Sequence, residues 1–167
     1  MSERESVRNE PFKSDASRSL TWGIGGGNAK MIVHATGPET GLACTIAEHI
    51  WEPGDQGGFH AHMVEDEAFF VIEGEVTVEM PDEGETFTAG PGQLIWHPRG
   101  RKHDYKVSAE GPVRLLQILI PGSDLVPGFF EEVAAGKADE IGTPEGAAEF
   151  FDWSRSAYNV EFFPLGD

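Results

Sequence analysis

GDQGGFHAHMVEDEAFFVIEG, residues Gly54 to Gly74, is the stretch on which the reading of this chain turns. His60 and His62 stand two apart, Glu67 follows, and Gly74 marks a turn. Side chains alternate faces along a strand, so the two imidazoles point the same way and can close on one metal ion. After a short acidic turn, Glu67 opens an apolar run, Ala68 to Ile72, that reads as a returning strand. A carboxylate at its start is expected to face the histidines across the hairpin. Glu65 and Asp66 compete for that role. Asp66 has the opposite parity and Glu65 falls in the turn, which leaves Glu67.

The rest of the chain bounds this reading. Its 167 residues make one ordinary domain that can bury a core without staples. With 21 glycines and 11 prolines the composition favours many short elements, hence β structure over a helical bundle. A balance of 29 acidic against 12 basic residues gives −17, which disfavours nucleic acid and anionic membrane surfaces as partners. Cys44 stands alone, so no intrachain disulfide forms. The opening MSERESVRNEPFKSD carries no apolar signal core, and no apolar run nears the ~18 residues that span a bilayer. The expectation is a soluble, cytoplasmic protein.

Residues 1–19 read as a loose polar arm, 20–122 as the β domain and 123–167 as a helical extension with a terminal strand packed on it. GIGGG at Gly23–Gly27 lacks the Lys-Ser/Thr of a phosphate loop and reads as a turn. Strands are expected over Lys30–Ala35, Leu42–Trp51, Val76–Met80, Glu85–Thr88, Leu94–Trp96, Asp104–Ser108 and Val113–Ile120, with His34 and His49 as structural histidines. In the sixth of these, His103, Tyr105 and Val107 share the inward face, while Asp104, Lys106 and Ser108 take the solvent face. An inward His103 at a strand entrance is the natural fourth ligand. Gln117 is either a pocket residue or the polar member of a covered outer face. Phe129–Ala135 forms a short helix stopped by Gly136, and Thr143 with Pro144 opens a second one to about Ser156. Phe150, Phe151 and Trp153 on the second helix either pack against the sheet or cover the pocket mouth. Val160–Phe163 reads as an edge strand.

Two segments match the paired motifs of the cupin superfamily. G-x5-H-x-H-x4-E-x6-G is filled by Gly54, His60, His62, Glu67 and Gly74. G-x5-P-x-G-x2-H-x3-N is filled by Gly92, Pro98, Gly100 and His103, with Val107 where asparagine usually stands. The resemblance covers residues 42–120. It implies a single-domain, all-β protein with short C-terminal helices, a double-stranded β-helix (a jelly-roll barrel), usually a homodimer. Tyr-x-Val-x-Phe near the end and GFFEEV before it resemble single-cupin proteins of the quercetin dioxygenase type.

His60, His62, Glu67 and His103 together suit one divalent transition metal, with Fe, Mn, Ni, Co, Cu and Zn all compatible. Phe69, Val71 and Tyr105, in phase with the ligands, are expected to wall an apolar pocket, and Gln117 is a further candidate. The activity this implies is a metal-dependent dioxygenase acting on a small hydrophobic or aromatic enol or phenol, with Glu67 accepting the hydroxyl proton. The alternatives are an oxygen-independent isomerase or polyketide cyclase, and a non-catalytic small-molecule-binding cupin.

Overall fold

The computed structural model describes residues 10–24, 27–107 and 110–164. Residues 1–9 of the expected arm, two glycines of the 23–27 turn and Ser108 lie outside them. Eleven strands and two helices follow in order: β1 Ser19–Trp22, β2 Ala29–Ala35, β3 Thr45–Trp51, β4 His60–His62, β5 Asp66–Glu73, β6 Val76–Met80, β7 Glu85–Ala89, β8 Leu94–His97, β9 Asp104–Val107, β10 Val113–Ile120, α1 Leu125–Glu132, α2 Pro144–Tyr158 and β11 Val160–Phe162. The expected strand at Leu42 starts later, at Thr45. Residues 36–43 instead wind into a turn in which Thr40 Oγ1 bonds the Gly37 and Cys44 carbonyls.

The architecture is the double-stranded β-helix. One sheet has six strands in the order β1-β2-β3-β10-β5-β8, all antiparallel. The other has β7-β6-β9. One bridge, Gln56↔Lys106, ties β9 to the 54–59 loop, and another, His60↔His103, ties the residue before β9 to β4, which pairs in turn with β11. Met31, Val33, Ala47, Val71, Leu115 and Leu119 of the first sheet meet Val76, Val78 and Val107 of the second in one core. Burying such a side chain contributes about 1.5–3 kcal/mol. Period-two burial on β10 leaves Val113, Leu115, Gln117 and Leu119 inside, which settles the phase of Gln117. Gly74 makes the β5–β6 turn at φ +76, where a Cβ would sit 2.3 Å from the Pro112 carbonyl oxygen.

Two expectations change. β4 and β5 are not partners in a hairpin. They belong to opposite sheets, so Glu67 reaches the histidines across the barrel interior rather than along a ladder. Asp104 is not on a solvent face but is fully buried. The 54–59 loop folds over that side of β9, placing Gly57 beside the carboxylate, and burial pushes the Asp104 pKa up despite Lys106 at 3.9 Å.

The extension wraps one mouth of the barrel. α1 begins earlier than expected, at Leu125, and runs into a wider turn, 133–137, that Gly136 closes at φ +102. α2 starts as expected, with Thr143 Oγ1 accepting from Gly146 N at 3.0 Å and proline at its first turn, and ends in a left-handed Asn159. Its Phe150 packs on Phe129 and Phe162, so the aromatic stripe builds a core between the helices and β11. The final strand is laid along β4, the strand that carries the histidine pair.

Candidate metal centre

Three elements converge. β4 supplies His60 and His62 from one face. The entrance of β9 supplies His103, held opposite His60 by paired backbone bonds, His60 N to His103 O at 3.0 Å and His103 N to His60 O at 2.9 Å. β5 supplies Glu67 from the facing sheet. One nitrogen or oxygen from each of these four residues lies within 4.8 Å of all the others.

The imidazoles are oriented from behind. His60 Nδ1 lies 2.7 Å from the Gly58 carbonyl and His103 Nδ1 lies 2.9 Å from the Arg101 carbonyl. A carbonyl only accepts, so both Nδ1 atoms carry the proton and both Nε2 lone pairs are free. His103 Nε2 and both ring nitrogens of His62 are buried without hydrogen-bond partners. Buried, unsatisfied lone pairs facing a carboxylate are what a cation would complete. Glu67 Oε1 lies 3.5 Å from His62 Nε2 and Oε2 lies 3.2 Å from His103 Nε2. The donor set therefore fits a divalent metal, with three nitrogens and one oxygen.

Charge follows geometry. Burial drives the Glu67 pKa up, but His62 and His103 overcome it and hold the carboxyl well below its ordinary value. Burial likewise pulls His62 down, and the Glu67 charge outweighs it, leaving His62 raised. His60 falls well below its usual value through burial and the neighbouring His103 and His62. Tyr105 is pushed far up by burial and by Glu67, so it stays a neutral donor.

Behind Glu67 runs a hydrogen-bond chain. Gln117 Nε2 donates to Glu67 Oε1 at 2.6 Å and Tyr105 donates to Oε2 at 3.1 Å. Trp51 Nε1 donates to His49 Nδ1 at 3.3 Å, which leaves His49 Nε2 to donate to Gln117 Oε1 at 3.0 Å. Burial lowers the His49 pKa, in keeping with that neutral tautomer. His49, expected to be structural, is thus a link in the chain. Its inward parity with Ala47 and Trp51 on β3 was the available signal.

A small cavity of about 50 Å³ adjoins the cluster. Phe69 and Tyr105, in phase with the ligands, line it, and so does Gln117, whose phase the sequence left open. Val71 does not. It sits beside Leu115 in the core, one strand period beyond the cavity. Trp22, Leu125, Phe129, Phe130 and Phe162 complete the wall, and sequence periodicity does not reveal them because they arrive from β1, α1 and β11. Phe162 stacks on His60 with centroids 5.3 Å apart. His97, also unanticipated, stacks on His103 at 4.2 Å, and burial followed by the neighbouring His103 lowers it to about 4. Of the two carboxylates set aside, Asp66 faces outward and pairs with Arg99, and Glu65 is buried but outside the cluster.

The barrel and cluster define the class: a β-helix barrel whose interior presents three imidazoles and one carboxylate. Residues 47–119 match the family model of the cupin domain. Among solved structures it is similar to a protein from Thermotoga maritima described as a predicted oxalate decarboxylase. The identity is 17%, the match covers 66% of this chain and 99% of that one, and the TM-score is 0.59. It is also similar to KdgF from Halomonas sp., at 22% identity, 57% and 81% coverage and a TM-score of 0.50. At these identities the likeness is one of fold. No curated protein matches the chain. No helix among the described residues is long and apolar enough to cross a membrane.

Proposed function

We propose that the protein is a metal-dependent enzyme acting on a small, uncharged enol or phenol, with dioxygen as second substrate. The observation that carries this is Glu67, 1% exposed, clustered with three imidazoles beside a cavity walled mainly by aromatic and aliphatic side chains. His60, His62, Glu67 and His103 would hold the ion. A divalent Fe, Mn, Ni, Co, Cu or Zn there supplies Lewis acidity toward a substrate oxygen. Glu67, ionised and with lone pairs to spare beyond its bonds to Gln117 and Tyr105, accepts the hydroxyl proton. Tyr105 and Gln117 keep the carboxylate from rotating, and the aromatic wall excludes water. The volume favours substrates of few heavy atoms, such as a short diketone in its enol form, over a flavonol.

The test is elemental analysis of the purified protein followed by oxygen uptake with acetylacetone. Uptake that disappears in Glu67→Gln while metal is retained is expected. Solvent deuterium entering the diketone carbon faster than the uncatalysed rate, without oxygen uptake, assigns the isomerase or cyclase chemistry instead. Binding without either reaction assigns a non-catalytic receptor.

We further propose a homodimer through the outer face of the six-stranded sheet. Phe70, Ile72, Leu94, Trp96 and Ile120 are exposed there together. Trp96 stands beside Ala68, so a ridge adjoins a hollow, the self-complementary relief that a two-fold interface needs. Charges on this face include the pairs Arg114 with Glu48 and Arg99 with Asp66, which ease the approach of two chains of net charge −17 there.

A further inference from the structure

We infer that Trp22 is a specificity-determining residue: its indole N–H binds an acceptor oxygen on the part of the substrate remote from the metal. The inference rests on the functional reading above and deepens it by naming what the substrate must carry.

The cavity's polar groups are spoken for, with one exception outside the cluster. Both ring nitrogens of His49 are engaged, one by Trp51 and one by Gln117. The Gln117 amide is engaged at both ends, and the Tyr105 hydroxyl serves Glu67. No lysine or arginine lines the cavity, so a second carboxylate on the substrate would meet no counter-charge. Trp22 Nε1 remains. It is buried with no hydrogen-bond partner, in a residue only 6% exposed that lines the cavity.

A buried N–H without a partner is costly in the free protein, and a ligand acceptor removes that cost on binding. The ring is well held for such a role. It ends β1, paired with Ala29 of β2, and it packs edge-on against Phe130 at 4.7 Å, Trp51 at 6.0 Å and His49 at 6.1 Å. A donor on a packed strand residue discriminates by geometry as well as by energy. The ligand class is therefore a small uncharged ring or chain with a metal-binding hydroxyl at one end and a single acceptor oxygen at the other.

The experiment uses zinc-loaded protein under argon and two isosteric probes, hydroquinone and 4-methylphenol, titrated by calorimetry. Wild type should bind hydroquinone more tightly, and Trp22→Phe should weaken hydroquinone about tenfold while leaving 4-methylphenol within twofold. Equal losses for both probes, or no loss for hydroquinone, overturn the assignment of Trp22 and leave the metal-centre reading intact. Failure of both probes to bind wild type overturns both readings. Should Trp22→Phe not fold, the indole N–H proton resonance of wild-type Trp22 decides. It should move downfield with hydroquinone and not with 4-methylphenol, and equal responses reject the proposal.

Discussion

Gln117 Nε2 lies 2.6 Å from Glu67 Oε1, joining residues fifty positions apart on neighbouring strands of one sheet. The bond fixes which oxygen of Glu67 each histidine meets, Oε1 toward His62 and Oε2 toward His103. Gln117→Leu keeps the volume and removes the donor, leaving His49 Nε2 buried without an acceptor. Groups in this position behind a metal ligand are typically worth 10–100-fold in metal affinity. Chelator competition on the variant should show a loss in that range with unchanged circular dichroism. Equal affinity would mean the carboxylate is positioned without Gln117.

His60→Ala and His103→Ala each delete a donor whose Nδ1 is anchored on a backbone carbonyl. Both variants should purify with little metal, while His34→Ala, at the surface beside Ser14, should keep it. Full occupancy by elemental analysis in both cluster variants would reject the assignment.

The shifts at the cluster set a pH dependence. Without metal, the raised His62 stabilises the fold at low pH and loses that contribution as pH rises through its folded value. The lowered Glu67 stabilises above the ordinary carboxylate range and loses its contribution as pH falls through the folded value. The contribution of this pair to the metal-free protein is greatest between those limits, while the lowered His60, His49 and His97 oppose it as pH falls below the ordinary histidine range. Metal binding needs neutral His62, so zinc should release protons at pH 6 and progressively fewer at higher pH. Calorimetry in buffers of different ionisation enthalpy measures this, and zero release at pH 6 contradicts it.

Phe162 joins β11 to the site, stacked on His60 and edge-on to Phe150. Phe162→Ala should lower stability by about 2 kcal/mol, less than truncation of a fully buried aromatic because Phe162 is half-buried. It should also enlarge the cavity enough to admit flavonols that wild type excludes. A thermal melt with and without the larger ligand reads both effects.

Trp96→Glu places a charge in the apolar face beside Ala68 and Leu94. Light scattering should find a dimer for wild type and a monomer for the variant, with the metal content unchanged. A monomeric wild type would dismiss the interface.

Much of the barrel and all four clustered residues were legible in the linear chain. The reason is that ligand spacing and strand parity are local: two residues apart on a strand means one face, and glycines at fixed offsets mean turns. His103 was placed inward by the same rule that misplaced Asp104, since parity tells which residues share a face but not whether a loop will cover the other one. Contacts across long separations stayed hidden for the same reason. His49 meets Gln117 over 68 positions, and β11 returns to pair with β4, because sheet order and the docking of the C-terminal segment are settled by which apolar surfaces meet in three dimensions. Periodicity names the faces. Packing chooses their partners, and here it put Glu67 in the sheet opposite the histidines and left the Trp22 N–H without a partner.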